Sequence, residues 1–379
     1  MRQKTAQLMK KKLIALTAPL VRRRPLVPTQ LLELRPARIL VVRQQNQMGD
    51  MVCATPVFRA LRENFPEAEI GLVTAPVNVE VVRHNPHLDR IFTFDQRMWR
   101  NPGRLLAFLR EVRGFQAELV FVLASVSFSV TSAGIGLASG AKWVVGADSL
   151  PFGLDLSRHI FSLEMPSRKE VTGHAIEHSL APMRAIGINT ADLSTVVVPA
   201  PGELAKAEEI RLELGLEQGF WAIHPGAGKK QNIWPAAGFA QVMRRALEMG
   251  ARILLLHGPA DREVLAELEE LLADEMGRGV LAAPPCPVGV GAALLDGADR
   301  FLCNDTGIMH IAGALGVPTL ALFGPTDPDL WKPPVDSVKA LRRPADATND
   351  RAYEFGGMEN IDPERVWMAW STLPSRAGS

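Results

Sequence analysis

Short apolar runs alternate along this chain with longer stretches in which apolar positions recur at helical spacing. Residues 38–43 (Arg38-Ile39-Leu40-Val41-Val42-Arg43) read as a first strand, and 70–73, 90–94, 119–123 and 143–145 as further strands. A helix starting at Asp50 runs through Val57, Leu61 and Phe65 and ends at Pro66. Residues 174–186 read as one more helix, before a linker that closes with Pro199-Ala200-Pro201-Gly202. A second series follows: helix near 203–214, strand 220–224, helix 236–249, strand 252–257, helix 261–274, strand 300–303, helix from Gly307 to Gly316, and strand 319–323. Residues 363–372 have helical spacing again. Strands alternating with helices predict parallel sheets, and the break near residue 200 predicts two α/β halves with ligands bound between them.

The stretch 119–141 carries no charge for 23 residues, yet it is no membrane span: five serines and three glycines dilute it. It reads as a buried strand, a polar loop and a small-residue helix. Its Gly134-Ile135-Gly136…Gly140 mimics a dinucleotide fingerprint, but the glycines lie too far past the strand for that turn.

With 379 residues, 47% of them hydrophobic, the chain can build two cored domains. Its three cysteines, Cys53, Cys286 and Cys303, are widely spaced, which argues against a disulfide framework or structural zinc and fits a reducing cytoplasm. The formal net charge of +1 hides an asymmetry. Residues 1–38 hold ten Lys/Arg and one acid, so the remainder is −8. A basic leader (1–37) with a short apolar stretch at 13–20 suits the inner face of an anionic membrane, or is a solvated tail. No aromatic residues interleave its basic ones, so nucleic acid is not the expected partner.

Three loops carry candidate chemistry. In Cys303-Asn304-Asp305-Thr306-Gly307, a strand meets a capped helix start, a ready site for an anionic group such as a diphosphate. A purely structural cap is the competing reading. The aspartic-protease reading of Asp-Thr-Gly needs a second copy in an all-β setting, and there is one copy opening a helix. In the second loop, His224-Pro225-Gly226-Ala227-Gly228-Lys229-Lys230, glycines allow close approach and two lysines can neutralise phosphate. In the third, Gln47-Met48-Gly49-Asp50, a carboxylate at a helix start is either a general base or an ordinary N-cap.

Together the loops resemble glycosyltransferase family 9, the ADP-heptose:lipopolysaccharide heptosyltransferases and their relatives. The resemblance rests on Gly49-Asp50, Thr55-Pro56, Phe65-Pro66-Glu67-Ala68-Glu69-Ile70, His224–Ala227 with Trp234-Pro235, and Asp305 to Pro328. It runs in order from about 38 to 373. It implies a GT-B architecture: two Rossmann-like doubly wound domains facing a central cleft. The implied boundaries are 38–200 for the acceptor domain, 201–355 for the nucleotide-sugar domain, and 356–379 for a helix returning to the first. The implied chemistry is inverting and metal-independent, with no cofactor beyond the nucleotide-sugar, expected to be ADP-heptose. Asp50 is the implied base. Donor binding falls to His224, Gly226, Ala227, Gly228, Lys229, Lys230, Glu263, Asn304, Asp305, Thr306, Gly307 and His310, with 286–288 beside the adenine. Acceptor binding falls to Gln47, Met48, Gly49 and Ser127, the acceptor being a lipopolysaccharide-core or other surface-glycan hydroxyl. The resemblance implies a cytoplasmic enzyme peripheral to the inner membrane, and no oligomer is predicted. Other nucleotide-sugar enzymes of this architecture, epimerases or hydrolases, and a non-catalytic binding relative stay open.

The chain departs from the family pattern in three places. Asn232 stands where many relatives place a phosphate-binding lysine. Serines and Thr131 occupy the loop after residue 123, where others carry arginines, which points to a less anionic acceptor or one other than the usual inner-core sugar. Gly357-Met358 replaces a Cys-Met pair, which argues against a cysteine-held metal.

Overall fold

The computed structural model describes residues 24–123, 128–167, 173–342 and 357–376. These divide into two compact units, one within Met1–Gln47 and Cys53–Leu193, the other within Met48–Val52 and Ser194–Ser379. Each unit is built on one six-stranded parallel sheet.

In the first unit the strands are β1 (Arg38–Arg43), β2 (Glu69–Thr74), β3 (Arg90–Thr93), β4 (Leu119–Val122), β5 (Trp143–Ala147) and β6 (Leu163–Met165), ordered β3-β2-β1-β4-β5-β6. Interior strands are continuous apolar runs because helices cover both faces. Leu40, Val42, Val120 and Val144 share a core with Phe92, Phe108 and Phe161. The leader is shorter than the sequence suggests. Leu26 donates its N–H to Ser162 O (2.9 Å), and Leu31, in the helix Pro28–Glu33, is fully buried. Residues 26–31 are therefore part of this unit, and the stretch 1–23 lies outside the described residues. The single helix expected from Asp50 is two, Met48–Cys53 and Thr55–Asn64. Pro56, in the first turn of the second, has no N–H to continue the first.

The second unit repeats the plan with β7 (Trp221–His224), β8 (Ile253–Leu255), β9 (Val280–Ala282), β10 (Arg300–Asn304), β11 (Thr319–Phe323) and β12 (Val338–Arg342), ordered β12-β11-β10-β7-β8-β9. Counted within the unit, this is the doubly wound order 3-2-1-4-5-6. Its switch point lies between β7 and β10, where His224 pairs with Cys303. The apolar side of Pro363–Ser371 (Val366, Trp370) and Leu373 are taken up by the second unit's own core with Trp234 and Phe239. Arg300, stacked 4.3 Å over Trp221, donates to the carbonyls of Trp370 (3.1 Å) and Ser371, which fixes the helix end. No described helix is long and apolar enough to cross a membrane.

Candidate functional site

Ligands of doubly wound sheets sit beyond the carboxyl ends of the strands at the switch point. In the second unit that position is framed by the loops after β7 and β10. Asn304, the last residue of β10 and fully buried, joins them. Its Nδ2 donates to Pro225 O (2.7 Å) and Gly226 O (3.3 Å), and its Oδ1 accepts from Trp234 N–H (3.2 Å). Both ends of the loop are thus tied to one amide. Trp234 Nε1 in turn donates to Ile361 O (3.1 Å).

The helix Gly307–Leu315 starts at Thr306, which forms no side-chain cap. The first-turn N–H groups therefore have no Thr306 hydroxyl closing them off, and they lie at the positive end of the helix dipole. Asp305 precedes it, with Asn232 Nδ2 donating to its Oδ2 at 3.0 Å. Burial pushes the Asp305 carboxyl above its ordinary value, against the opposing pull of a Thr326 hydrogen bond and the charge of Lys229.

A pocket of about 430 Å3 opens beside this helix start. Leu256, Leu265, Pro285, Val288, Ile308 and Ile311 make it apolar, and His224, His257, Arg262 and Thr306 supply polar edges. A size of a few hundred cubic ångströms and an apolar lining with few polar groups fit a flat heterocycle whose charged tail reaches the helix. Beneath it, Asp261 accepts from Gly258 N–H (2.6 Å) and meets His224 Nε2 (3.2 Å). Burial pushes the Asp261 carboxyl up. The His224 hydrogen bond and charge, the Gly258 N–H and His257 outweigh that and hold it below its ordinary value.

The third loop reaches the same helix. Met48–Val52 groups with the second unit, and glycines mark the contact. A Cβ on Gly49 would come 2.8 Å from His310 Cδ2, and one on Gly307 would come 2.8 Å from Met48 Cε. Asp50, in the first turn of Met48–Cys53, follows directly.

The family model for glycosyltransferase family 9 (heptosyltransferase) matches residues 107–355. The chain belongs to glycosyltransferase family 9. It is 23% identical over 292 residues to lipopolysaccharide heptosyltransferase 3 of Escherichia coli, covering 75% of this chain and 83% of that protein. The crystal structure of a family 9 glycosyl transferase from Veillonella parvula superposes with a TM-score of 0.75 at 21% identity, over 89% of this chain and 97% of that one. The E. coli ADP-heptose lipopolysaccharide heptosyltransferase II gives 0.71 at 20% identity, over 88% and 97%. The fold is GT-B, and the protein is a glycosyltransferase.

Within this family 9 protein the predicted residues separate. His224 and Thr306 line the pocket, as does Met48, which the sequence assigned to the acceptor. Gly307, His310 and Gly49 meet at the helix start, and Asp305 lies one residue before Thr306. The Asn304 amide is buried and bonded to the loop, to Pro225 O and Trp234 N–H. Gly226 is likewise set by packing: a Cβ there would fall 1.8 Å from Asp261 Oδ1. A Cβ on Gly228 would meet nothing within 4 Å, and Ala227 sits between the two. Lys230 pairs with Glu263 (2.8 Å) on the open surface, side chains 85% and 81% exposed, whereas the charge of Lys229 reaches Asp305. Gln47 falls in the first unit, and Ser127 lies outside the described residues. Cys286 and Val288 do line the pocket. Sequence reasoning missed Asp261, His257 and Arg262. Their signal was a strand ending in His257-Gly258-Pro259, the same strand–glycine exit that flagged the other loops.

Proposed function

We propose that this glycosyltransferase moves a heptose from an ADP-linked donor to a hydroxyl of a lipopolysaccharide core, in one inverting displacement without a metal. The observation that carries the reading is the apolar pocket opening beside an uncapped helix start, with the Gly49-Asp50 turn packed on that start. Its relatives, lipopolysaccharide heptosyltransferase 3 and ADP-heptose lipopolysaccharide heptosyltransferase II, suggest the sugar, the nucleotide and the acceptor class.

In this reading the nucleobase occupies the pocket, and the diphosphate lies along the first-turn N–H groups at Thr306 and Gly307. Asp50 accepts the proton of the acceptor hydroxyl. The freed oxygen bonds to the anomeric carbon from the face opposite the diphosphate, and the departing phosphate oxygen keeps the electron pair of the broken C–O bond. Its charge is met by the helix start and by Lys229. The acceptor is a membrane-borne glycolipid, and the basic residues of 1–23 hold the enzyme at the cytoplasmic membrane face.

A thermal-shift screen against nucleotides and nucleotide-sugars tests the donor, because stabilisation follows affinity by mass action. Adenosine diphosphates raising the melting temperature above uridine and guanosine diphosphates is the expected result. A preference for UDP-sugars would remove the ADP-heptose assignment. Donor consumption without acceptor would favour an epimerase or hydrolase, and binding with no turnover a non-catalytic relative.

A further inference from the structure

The first unit carries a surface segment that the transferase chemistry does not use. The 3-10 turn Gln96–Arg100 joins the helix Pro102–Gly114 at Asn101, whose side chain accepts from Arg104 N–H (3.1 Å). The inner face is ordinary core: Phe108 and Val112 are buried, and Met98, Leu105 and Leu109 pack beside them. Outside, Trp99 is 45% and Leu106 48% exposed. Trp99 is seated edge-on against Phe94 with ring centroids 6.2 Å apart, so its exposed part is held in place. Arg97, Arg100, Arg104 and Arg110 are exposed around these two apolar side chains, and Arg110 lies one turn after Leu106 on the same helix face. Residues 95–114 hold five arginines against Asp95 and Glu111, a net of +3, whereas the chain after residue 38 is −8.

We propose that this segment docks on the headgroup layer of an anionic bilayer. Guanidinium groups match lipid phosphates, and an indole and a leucine tip match the acyl boundary beneath. An RNA ligand would use the arginines but has no use for an exposed leucine, and one indole makes a poor stacking platform. This contact is separate from the basic leader. It rests on the reading of a lipid-borne acceptor for its purpose, and brings the first unit itself, not only a tether, onto the membrane.

The test is amide hydrogen exchange on the full chain, with phosphatidylcholine vesicles and with mixed phosphatidylcholine–phosphatidylglycerol vesicles, neither containing any glycolipid acceptor. Slower exchange across 96–113 with the anionic vesicles alone is the expected result. The double variant Trp99→Ala/Leu106→Ser should lose that protection and partition at least about tenfold more weakly, with its nucleotide thermal shift unchanged as a check on folding. Protection confined to the leader, protection of 96–113 by single-stranded RNA but not vesicles, or undiminished partitioning of the variant would each overturn the proposal. None of these outcomes bears on sugar transfer, which is assayed separately.

Discussion

Gly226 and Asp261 compete for one space: a Cβ built on the glycine would lie 1.8 Å from the carboxylate oxygen Oδ1. Asp261 is only 6% exposed and also holds Gly258 N–H and His224. Gly226→Ala should therefore displace a buried carboxylate from its partners and cost about 2–4 kcal/mol in denaturant unfolding. It should also weaken nucleotide binding by calorimetry. Gly228→Ala, which meets nothing, should leave both near wild type. Equal losses in the two variants would mean that the loop needs glycine for its backbone and not for Asp261.

Acid should act through the same carboxylate. The Asp261 carboxyl titrates below its ordinary value of 3.8, so the unfolded chain binds its proton first as pH falls. Its contribution to stability is complete above the ordinary value and is lost as pH drops through the folded one. Melting temperatures of wild type and Asp261→Asn should accordingly converge below about pH 4 and diverge above it. A constant gap across that range would place the effect elsewhere.

Asp50→Asn keeps size and shape but removes the proposed base. Turnover is expected to fall by roughly two to four orders of magnitude while nucleotide affinity stays near normal. Unchanged turnover ends the assignment.

The two neighbouring lysines should behave differently. Lys229→Ala is expected to lower ADP affinity about tenfold or more, the loss of one charged contact. Lys230→Ala, which only frees an exposed glutamate, should change affinity little. The reverse ranking in calorimetry would move the phosphate contact to Lys230.

Trp370 anchors the last helix in the second unit's core, where Trp221 meets it at 4.8 Å. Trp370→Ala should cost about 3–5 kcal/mol by chemical denaturation. A near-neutral result would contradict the placement of that helix.

Interior strands were readable because burial on both faces makes them continuous apolar runs, as in Ile39–Val42 and Leu320–Phe323. The strands that escaped, β6, β9 and β12, are all sheet edges. Val338–Arg342 interrupts its apolar residues with Lys339 and Arg342, and β6 and β9 span three residues each. The site follows the same logic. Loops with glycine and a strand before them announce themselves, but Asn304, Asn232 and Asp261 act on partners 37 to 79 residues away. A short-range pattern carries no trace of such pairings. Asn232 was noticed only as a missing lysine, whereas the structure gives it work on Asp305.

Trp234 has a further consequence for how the enzyme is made. Its backbone is gripped by Asn304 and its indole by the carbonyl of Ile361, 70 and 127 residues downstream. A nascent chain that has released the β7 loop still lacks both grips. The loop before Trp234 can therefore set in its final form only once the carboxyl-terminal residues have left the ribosome.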